Sequence, residues 1–460
     1  MDKNLKKSLI VALARELDIT PQMYQRAIKV VNGLSSYIQN SQKESKIYKQ
    51  GSFRLGTTIK PCKKDKFGDY DIDLVVQYDI GKGRVLPEDI KKRLGDLLKE
   101  SNYKNSLDGE GKKCWTLNYS YKDETTTDFH IDLLPCVPEA EKEKLNISPE
   151  TYRSSAIAIT KIKDKNAKPY EYSWDCSNPA GYAMWFDAVN NSRYAELKNN
   201  DKKRIYSANS KLFESVDKID DAYTRSPLQM VIQILKRHRD VMYLHSEMAD
   251  YKPISIIITT LVGKIVEENE VVQNNTYDLL ETVLKGLNFY SSLTGLGKTS
   301  DFGEDFKTKK LITKHIVDGK VYWCIKNPAN SKENLANKWN ESSQYATEFF
   351  RWVKKATNDL IDILDRPIDE IKEKFPTRGL IFMPNFLKKY RNLCGQCIYT
   401  GIQVSNNEGH DQFIWDRDAG LPAEYGVVVC EEKLRQKDPE GIYETLSGYQ
   451  DTTYFHDGPF

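Results

Sequence analysis

The sequence predicts an α+β protein: helices and strands interleave up to about residue 205, and helices dominate beyond it. Three observations carry this expectation. Apolar residues recur at helical spacing before residue 40. They alternate with polar residues in Tyr70–Tyr78 and Asp128–Pro135, and the helical period returns from about Ser207 to about Leu293. A chain of 460 residues is too long for one core. Three regions are expected: 1–205, 206–385 and a small C-terminal appendage, 386–460, of possible regulatory use.

In order, Met1–Thr20 carries Leu5, Leu9, Leu13 and Leu17 at intervals of four, an amphipathic helix and not a signal peptide. Thr20-Pro21 starts a second helix, because Thr accepts from a first-turn amide and Pro needs no donor there. That helix runs through Ile28, Val31, Leu34 and Ile38 and stops in the polar stretch 39–46. A glycine-bearing turn over Gly51–Thr58 precedes the strand Tyr70–Tyr78. A helix at Pro87–Glu100 and strands at Cys114–Tyr121 and Asp128–Pro135 follow. The middle is helical, broken at Ser226-Pro227 and Lys252-Pro253, with an apolar stripe of Leu228, Val231, Ile232 and Leu235. Asn340–Phe375 reads as another long helix, and short β-type runs such as Gly426–Cys430 mark the appendage.

Apolar residues form 39% of the chain and charged residues 29%, the balance of a folded soluble protein. Lys and Arg (68) nearly equal Asp and Glu (66), so extended DNA is not an expected partner. The eight cysteines lack the density of a disulfide scaffold, and no apolar run is long enough to span a bilayer. A cytoplasmic protein with reduced thiols and no membrane partner is expected.

The chemistry concentrates in Asp71-Ile72-Asp73-Leu74. On a strand, Asp71 and Asp73 share one face while Ile72 and Leu74 take the other. Two carboxylates so close repel unless a cation lies between them, and Mg²⁺ prefers carboxylate oxygen with sites left for water and phosphate. The strand His130-Ile131-Asp132-Leu133 offers a third carboxylate by the same alternation. Three carboxylates from neighbouring strands suit two ions about 3.5–4 Å apart, the arrangement of two-metal phosphoryl transfer. Taken alone, such a pattern is more often a half-exposed strand. The upstream Gly51-Ser52 shifts the balance, since a Gly-Ser turn brings amides and a hydroxyl close to phosphate.

Gly-Ser, then Asp-Ile-Asp-Leu, then a further strand Asp is the layout of polymerase-β-like nucleotidyltransferases. Gly51-Ser52-Phe53-Arg54-Leu55-Gly56-Thr57 with Lys60-Pro61 and Asp71-Ile72-Asp73-Leu74 resembles the bacterial cGAS/DncV-like nucleotidyltransferases of anti-phage signalling. So do Ser177–Tyr182 with Trp185-Phe186, Leu235–Asp240, Lys252–Ile257, and Asn327-Pro328 with Glu333–Ala336 and Trp339. The Lys-rich stretch Cys62–Lys66 lengthens the interval between Ser52 and Asp71. The resemblance implies a mixed-sheet catalytic lobe, a helical lobe and a long spine helix joining them. It implies condensation of NTPs into a cyclic di- or trinucleotide that activates a separate effector protein, with a regulatory protein as a further partner. It also implies two Mg²⁺ ions on Asp71, Asp73 and Asp132, with Mn²⁺ able to substitute. Gly51, Ser52, Lys236 and Ser255 would bind the triphosphate.

Blander readings stand beside these. Lys236 fits a solvated helix face in the basic run 236–239, and Ser255 fits a helix N-cap after Pro253. Trp174, Trp185 and Phe186 fit core better than base-stacking platforms. Asn327-Pro328 and Asn334 fit an ordinary turn as well as a base pocket. His130 receives no catalytic role. Cys394, Cys397, His410, Cys430 and His456 lack the paired spacing of a zinc site and read as simple thiols and histidines. A linear 2′-5′ oligonucleotide synthase and a nucleotide sensor without turnover are the alternative functions.

Overall fold

The computed structural model describes residues 3–60, 69–120, 128–141, 150–190, 195–209, 212–213, 215–268, 275–291 and 311–366, with 402–405 and 411–414. Helix α1 (Lys3–Leu17) leads through a short joint into α2 (Pro21–Ser41). Thr20 caps α2 by accepting from the Met23 amide, as Thr-Pro predicts. After β1 (Ser45–Gln50), a short helix α3 (Gly51–Leu55) replaces the expected plain turn. Gly56 closes it in the left-handed conformation (φ 65°), which a glycine reaches without strain.

Strand β2 (Tyr70–Tyr78), helix α4 (Pro87–Lys99) and strands β3 (Leu107–Glu110), β4 (Trp115–Tyr119) and β5 (Phe129–Pro138) follow. Next come α5 (Glu150–Ser154), strands β6 (Ile157–Ile162) and β7 (Tyr172–Ser177), and helices α6 (Pro179–Asn190) and α7 (Ala195–Ala208). The sheet is mixed, in the order β1-β2-β5-β4-β3, with β6 added to β5 and β7 to β6. Among the described residues, β2 and β5 are the one parallel pair, and antiparallel neighbours flank them.

Helices α8 (Pro227–Tyr243), α9 (Ser255–Glu268) and α10 (Thr276–Phe289) follow. Hairpins β8 (Thr313–Val317) with β9 (Lys320–Cys324), and β10 (Lys326–Asn327) with β11 (Asn330–Asn334), lead to α11 (Asn337–Glu341) and α12 (Ser343–Leu360). The helix expected at Asn340–Phe375 therefore starts at Ser343, where Ser342 caps it, and ends at Leu360. Strands β12 (Ile402–Ser405) and β13 (Asp411–Ile414) form a separate hairpin. The run Gly426–Cys430, the Cys62–Lys66 stretch and the Cys394, Cys397, His410, Cys430 and His456 set lie outside the described residues.

Two cores form. One places α2 and α4 on a single face of the sheet, with Met23, Ala27, Val31, Leu34 and Ile38 against Ile72, Leu74, Ile131 and Leu133. Gly95 of α4 admits this contact, because a Cβ there would overlap the Trp115 ring. The other gathers α1, α6, α8, α9, α10 and α12. Thus α1 and α6, although early in the chain, pack with the later helices. Trp185 and Phe186 sit in that second core, the bland reading of these aromatics. No helix among the described residues is long and apolar enough to cross a membrane.

Candidate active site

Strand alternation decides which side chains meet. Tyr70, Ile72, Leu74, Val76 and Tyr78 of β2 face the α2–α4 core, and so do Phe129, Ile131 and Leu133 of β5. The opposite face therefore carries Asp71, Asp73, His130 and Asp132. Parallel pairing sets Asp73 beside Asp132 and Asp71 beside His130. Across β5, Thr116 of β4 is opposite Asp132 and donates its hydroxyl to Oδ1 at 2.5 Å. His130 lies between two carboxylates, with Nδ1 3.0 Å from Asp69 and Nε2 3.2 Å from Asp71.

Antiparallel pairing of β1 with β2 puts Gln50 opposite Asp73, so the next residue, Gly51, meets that carboxylate. Gly51 has φ 63°, and a Cβ there would collide with Asp73 Oδ2. Ser52 follows, with its Oγ 3.2 Å from Thr58 Oγ1 across the loop. Gly51, Ser52, Asp73 and Asp132 are thus assembled from three chain segments. Neither Thr116 nor Thr58 is marked by any local motif; knowledge of strand pairing alone would have revealed Thr116.

The site carries excess negative charge. Burial pushes Asp73 up to about 7, reinforced by repulsion from Asp132 and Asp71. Asp71 is also raised, first by burial, with His130 opposing and Asp132 adding to the shift. Among the described residues, no ion pair compensates Asp73 or Asp132. Such an arrangement is costly unless a cation or substrate completes it.

Lys236 does not lie on a solvated helix face. The whole run Lys236, Arg237, His238 and Arg239 is buried. Lys236 donates to the Thr57 carbonyl at 2.8 Å, and burial lowers its pKa to about 8, aided by Arg239 and opposed by Asp240, Asp71 and Asp73. Ser255 opens α9 and accepts from Arg239 at 2.8 Å. The structure therefore joins Lys236 to the Gly-Ser loop and Ser255 to Arg239. Asn327 accepts from the Ala329 amide and Asn334 from those of Ile325 and Ala336, which fixes local turns.

The donor set suits a hard cation. It is all carboxylate, negatively charged and adjacent to a loop of amides. Among the described residues, no three His, Cys, Asp or Glu side chains close around an ion by themselves.

A mixed sheet presenting paired aspartates beside a Gly-Ser loop defines a nucleotidyltransferase domain. Residues 45–135 match the family model "Cyclic GMP-AMP synthase DncV-like, nucleotidyltransferase domain". That stretch of the chain is similar to the nucleotidyltransferase domain of the bacterial DncV-like enzymes. It is 24% identical over 360 residues to the c-di-GMP synthase of Roseivirga ehrenbergii, covering 77% of each chain. Its fold is similar to CdnG, a CD-NTase of Bradyrhizobium diazoefficiens solved with GTP (TM-score 0.56, 17% identity, covering 82% of this chain and 96% of that one). It is also similar to CdnC of E. coli MS115-1 solved with ATP (TM-score 0.51, 12% identity, covering 81% and 96%).

Proposed function

We propose that the chain condenses nucleoside triphosphates, releasing pyrophosphate, into a cyclic dinucleotide or trinucleotide second messenger for anti-phage defence. The observation that carries this reading is the register of Asp73 with Asp132 on the face adjoining Gly51 and Ser52. The Roseivirga relative, a c-di-GMP synthase, supports a cyclic dinucleotide product. A separate effector would receive the product. The CdnC relative has also been solved in a complex with HORMA-deltaN, which supports a regulatory protein partner.

Asp71, Asp73 and Asp132 would hold two Mg²⁺ ions, with Mn²⁺ able to substitute. Bound there, the ions supply charge neutralisation on the triphosphate and a lowered pKa for the attacking hydroxyl. The chain's own groups do the rest. Thr116 fixes the rotamer of Asp132 through its hydroxyl bond. Ser52 and the amides at the start of α3 donate to phosphate oxygens, and Lys236 adds a cation behind the loop. His130 holds Asp71 through an imidazole nitrogen. The two cores act as two lobes, with α2 as the spine along the sheet.

The test of the reaction is product chemistry. Incubation with the four NTPs and Mg²⁺, followed by phosphatase, leaves a cyclic product intact because it has no terminal phosphate. Products that phosphatase always attacks would instead indicate a linear synthase.

Protonation of Asp73 sets a further expectation. Its carboxyl keeps a proton below about pH 7, and a hard cation must displace that proton to bind. The Mg²⁺ concentration giving half-maximal rate therefore rises as pH falls below about 7, by up to about tenfold per pH unit for one proton. Above that pH it levels off. Mg²⁺ titrations at several pH values check this, and a half-saturation point unmoved between acid and alkaline buffers contradicts it.

A further inference from the structure

The side of α8 that meets the segment after α3 is polar within an otherwise apolar core. Gln229, Gln233, Lys236 and Arg237 follow helical spacing and share one face. Each donates to a different backbone carbonyl of the same short segment. Gln229 Nε2 reaches Leu55 O at 2.9 Å, Lys236 Nζ reaches Thr57 O at 2.8 Å, Gln233 Nε2 reaches Thr58 O at 2.8 Å, and Arg237 reaches Lys60 O. Residues 57–60 belong to no helix or strand, so these carbonyls depend on side chains for partners.

The segment also crosses between the two cores: Phe53 packs with the sheet, whereas Leu55 and Ile59 pack with the helices. Gln233 is wholly buried, and its amide nitrogen has a second acceptor, Asp18 Oδ1 at 3.0 Å. Asp18 occupies the joint between α1 and α2 and is paired with Arg225. One amide group therefore ties together α8, the α1–α2 joint and the segment that follows the Ser52-bearing helix α3.

We propose that α8 is a rail that positions the triphosphate loop, and that Gln233 is its central positioning residue. This inference rests on the reading of Gly51–Ser52 as the phosphate contact. Thr58 is the link: its carbonyl is held by Gln233, and its hydroxyl lies 3.2 Å from Ser52 Oγ. Releasing Thr58 releases Ser52 and lets Lys236 drift with Thr57. A displacement of about 1 Å at a reacting site costs on the order of 10²-fold. A simple core-stabilising role for Gln233 would lower the melting temperature and leave ligand preference untouched.

The experiment compares dissociation constants of non-hydrolysable NTP analogues with those of the matching nucleosides, well below the melting temperature. Gln233→Leu keeps the volume and removes both donors. Its triphosphate affinity is expected to fall about tenfold or more, the worth of a hydrogen bond to a charged group, while nucleoside affinity stays within about twofold. Gln229→Met changes a half-buried side chain and carries less risk to folding. It should shift the same ratio in the same direction by a smaller factor. If Gln233→Leu does not fold, Gln229→Met decides alone. Wild-type ratios in every variant that folds overturn the rail. A wild-type protein that prefers no triphosphate over its nucleoside overturns the phosphate reading itself, and the rail with it.

Discussion

Replacing Asp71 and Asp73 together by asparagine abolishes product formation, by at least on the order of 10³-fold, and raises the melting temperature of the metal-free protein. The first effect follows from charge. Asparagine keeps the shape but cannot hold a divalent cation against a triphosphate, and several kcal/mol of transition-state charge stabilisation amount to that factor. The second follows from linkage. Burial and the neighbouring Asp132 and Asp71 push Asp73 from the ordinary carboxylate range up to about 7, so folding disfavours its ionised form. That penalty grows as pH rises from the ordinary carboxylate range to about 7 and stays level above it. Asparagine escapes it, so the gain in melting temperature is larger at about pH 8 than at about pH 5. Product assays and thermal unfolding at the two pH values test both halves. Turnover within tenfold of wild type would remove these aspartates from the chemistry. A fall in melting temperature at about pH 8 would mean that they stabilise the fold.

What the sequence could reveal depended on whether each signal was local. Strand β2 was legible because Tyr70, Ile72 and Leu74 alternate with Asp71 and Asp73, and helix α2 because Thr20-Pro21 is a local start signal. Asp132 was legible for the same reason as Asp73. Thr116 was not, since its role depends on β4 pairing with β5, a contact that no spacing encodes. Strand β6 is buried on both faces, so it lacks the alternation that marks a half-exposed strand. Helix α3 has only five residues, too few for a period.

The basic run of α8 teaches the same lesson for the site. Four consecutive cationic or titratable side chains read as a solvated face because burying them requires partners. The partners are Thr57 and Lys60 carbonyls, the Asp359 carboxylate, and Pro253 with Ser255, most of them far away in sequence. A buried charge is tolerated where hydrogen bonds replace its water. Lys236 could therefore be proposed as a phosphate cation from its motif, but its attachment to the loop became visible only in three dimensions. Likewise α1 and α2 both read as amphipathic helices, and only the fold shows that they serve different cores.

Gly51→Ala is expected to cost at least about 10²-fold in turnover, because two demands meet at one backbone position. A residue with a Cβ loses about 1–2 kcal/mol in the left-handed region, and at Gly51 (φ 63°) that Cβ would also run into the Asp73 carboxylate. The strain alone would only lower stability. The collision does more, since either Asp73 turns away from Asp132 or the junction of β1 with α3 opens and carries Ser52 with it. Gly319 separates the two effects: it has φ 74°, and a Cβ there meets nothing within 4 Å. Gly319→Ala should therefore lose similar stability and keep its activity. If the two variants fall equally in activity, or if Gly51→Ala turns over within about threefold of wild type, Gly51 does not set the position of Asp73 and the loop is free to bind phosphate in another geometry.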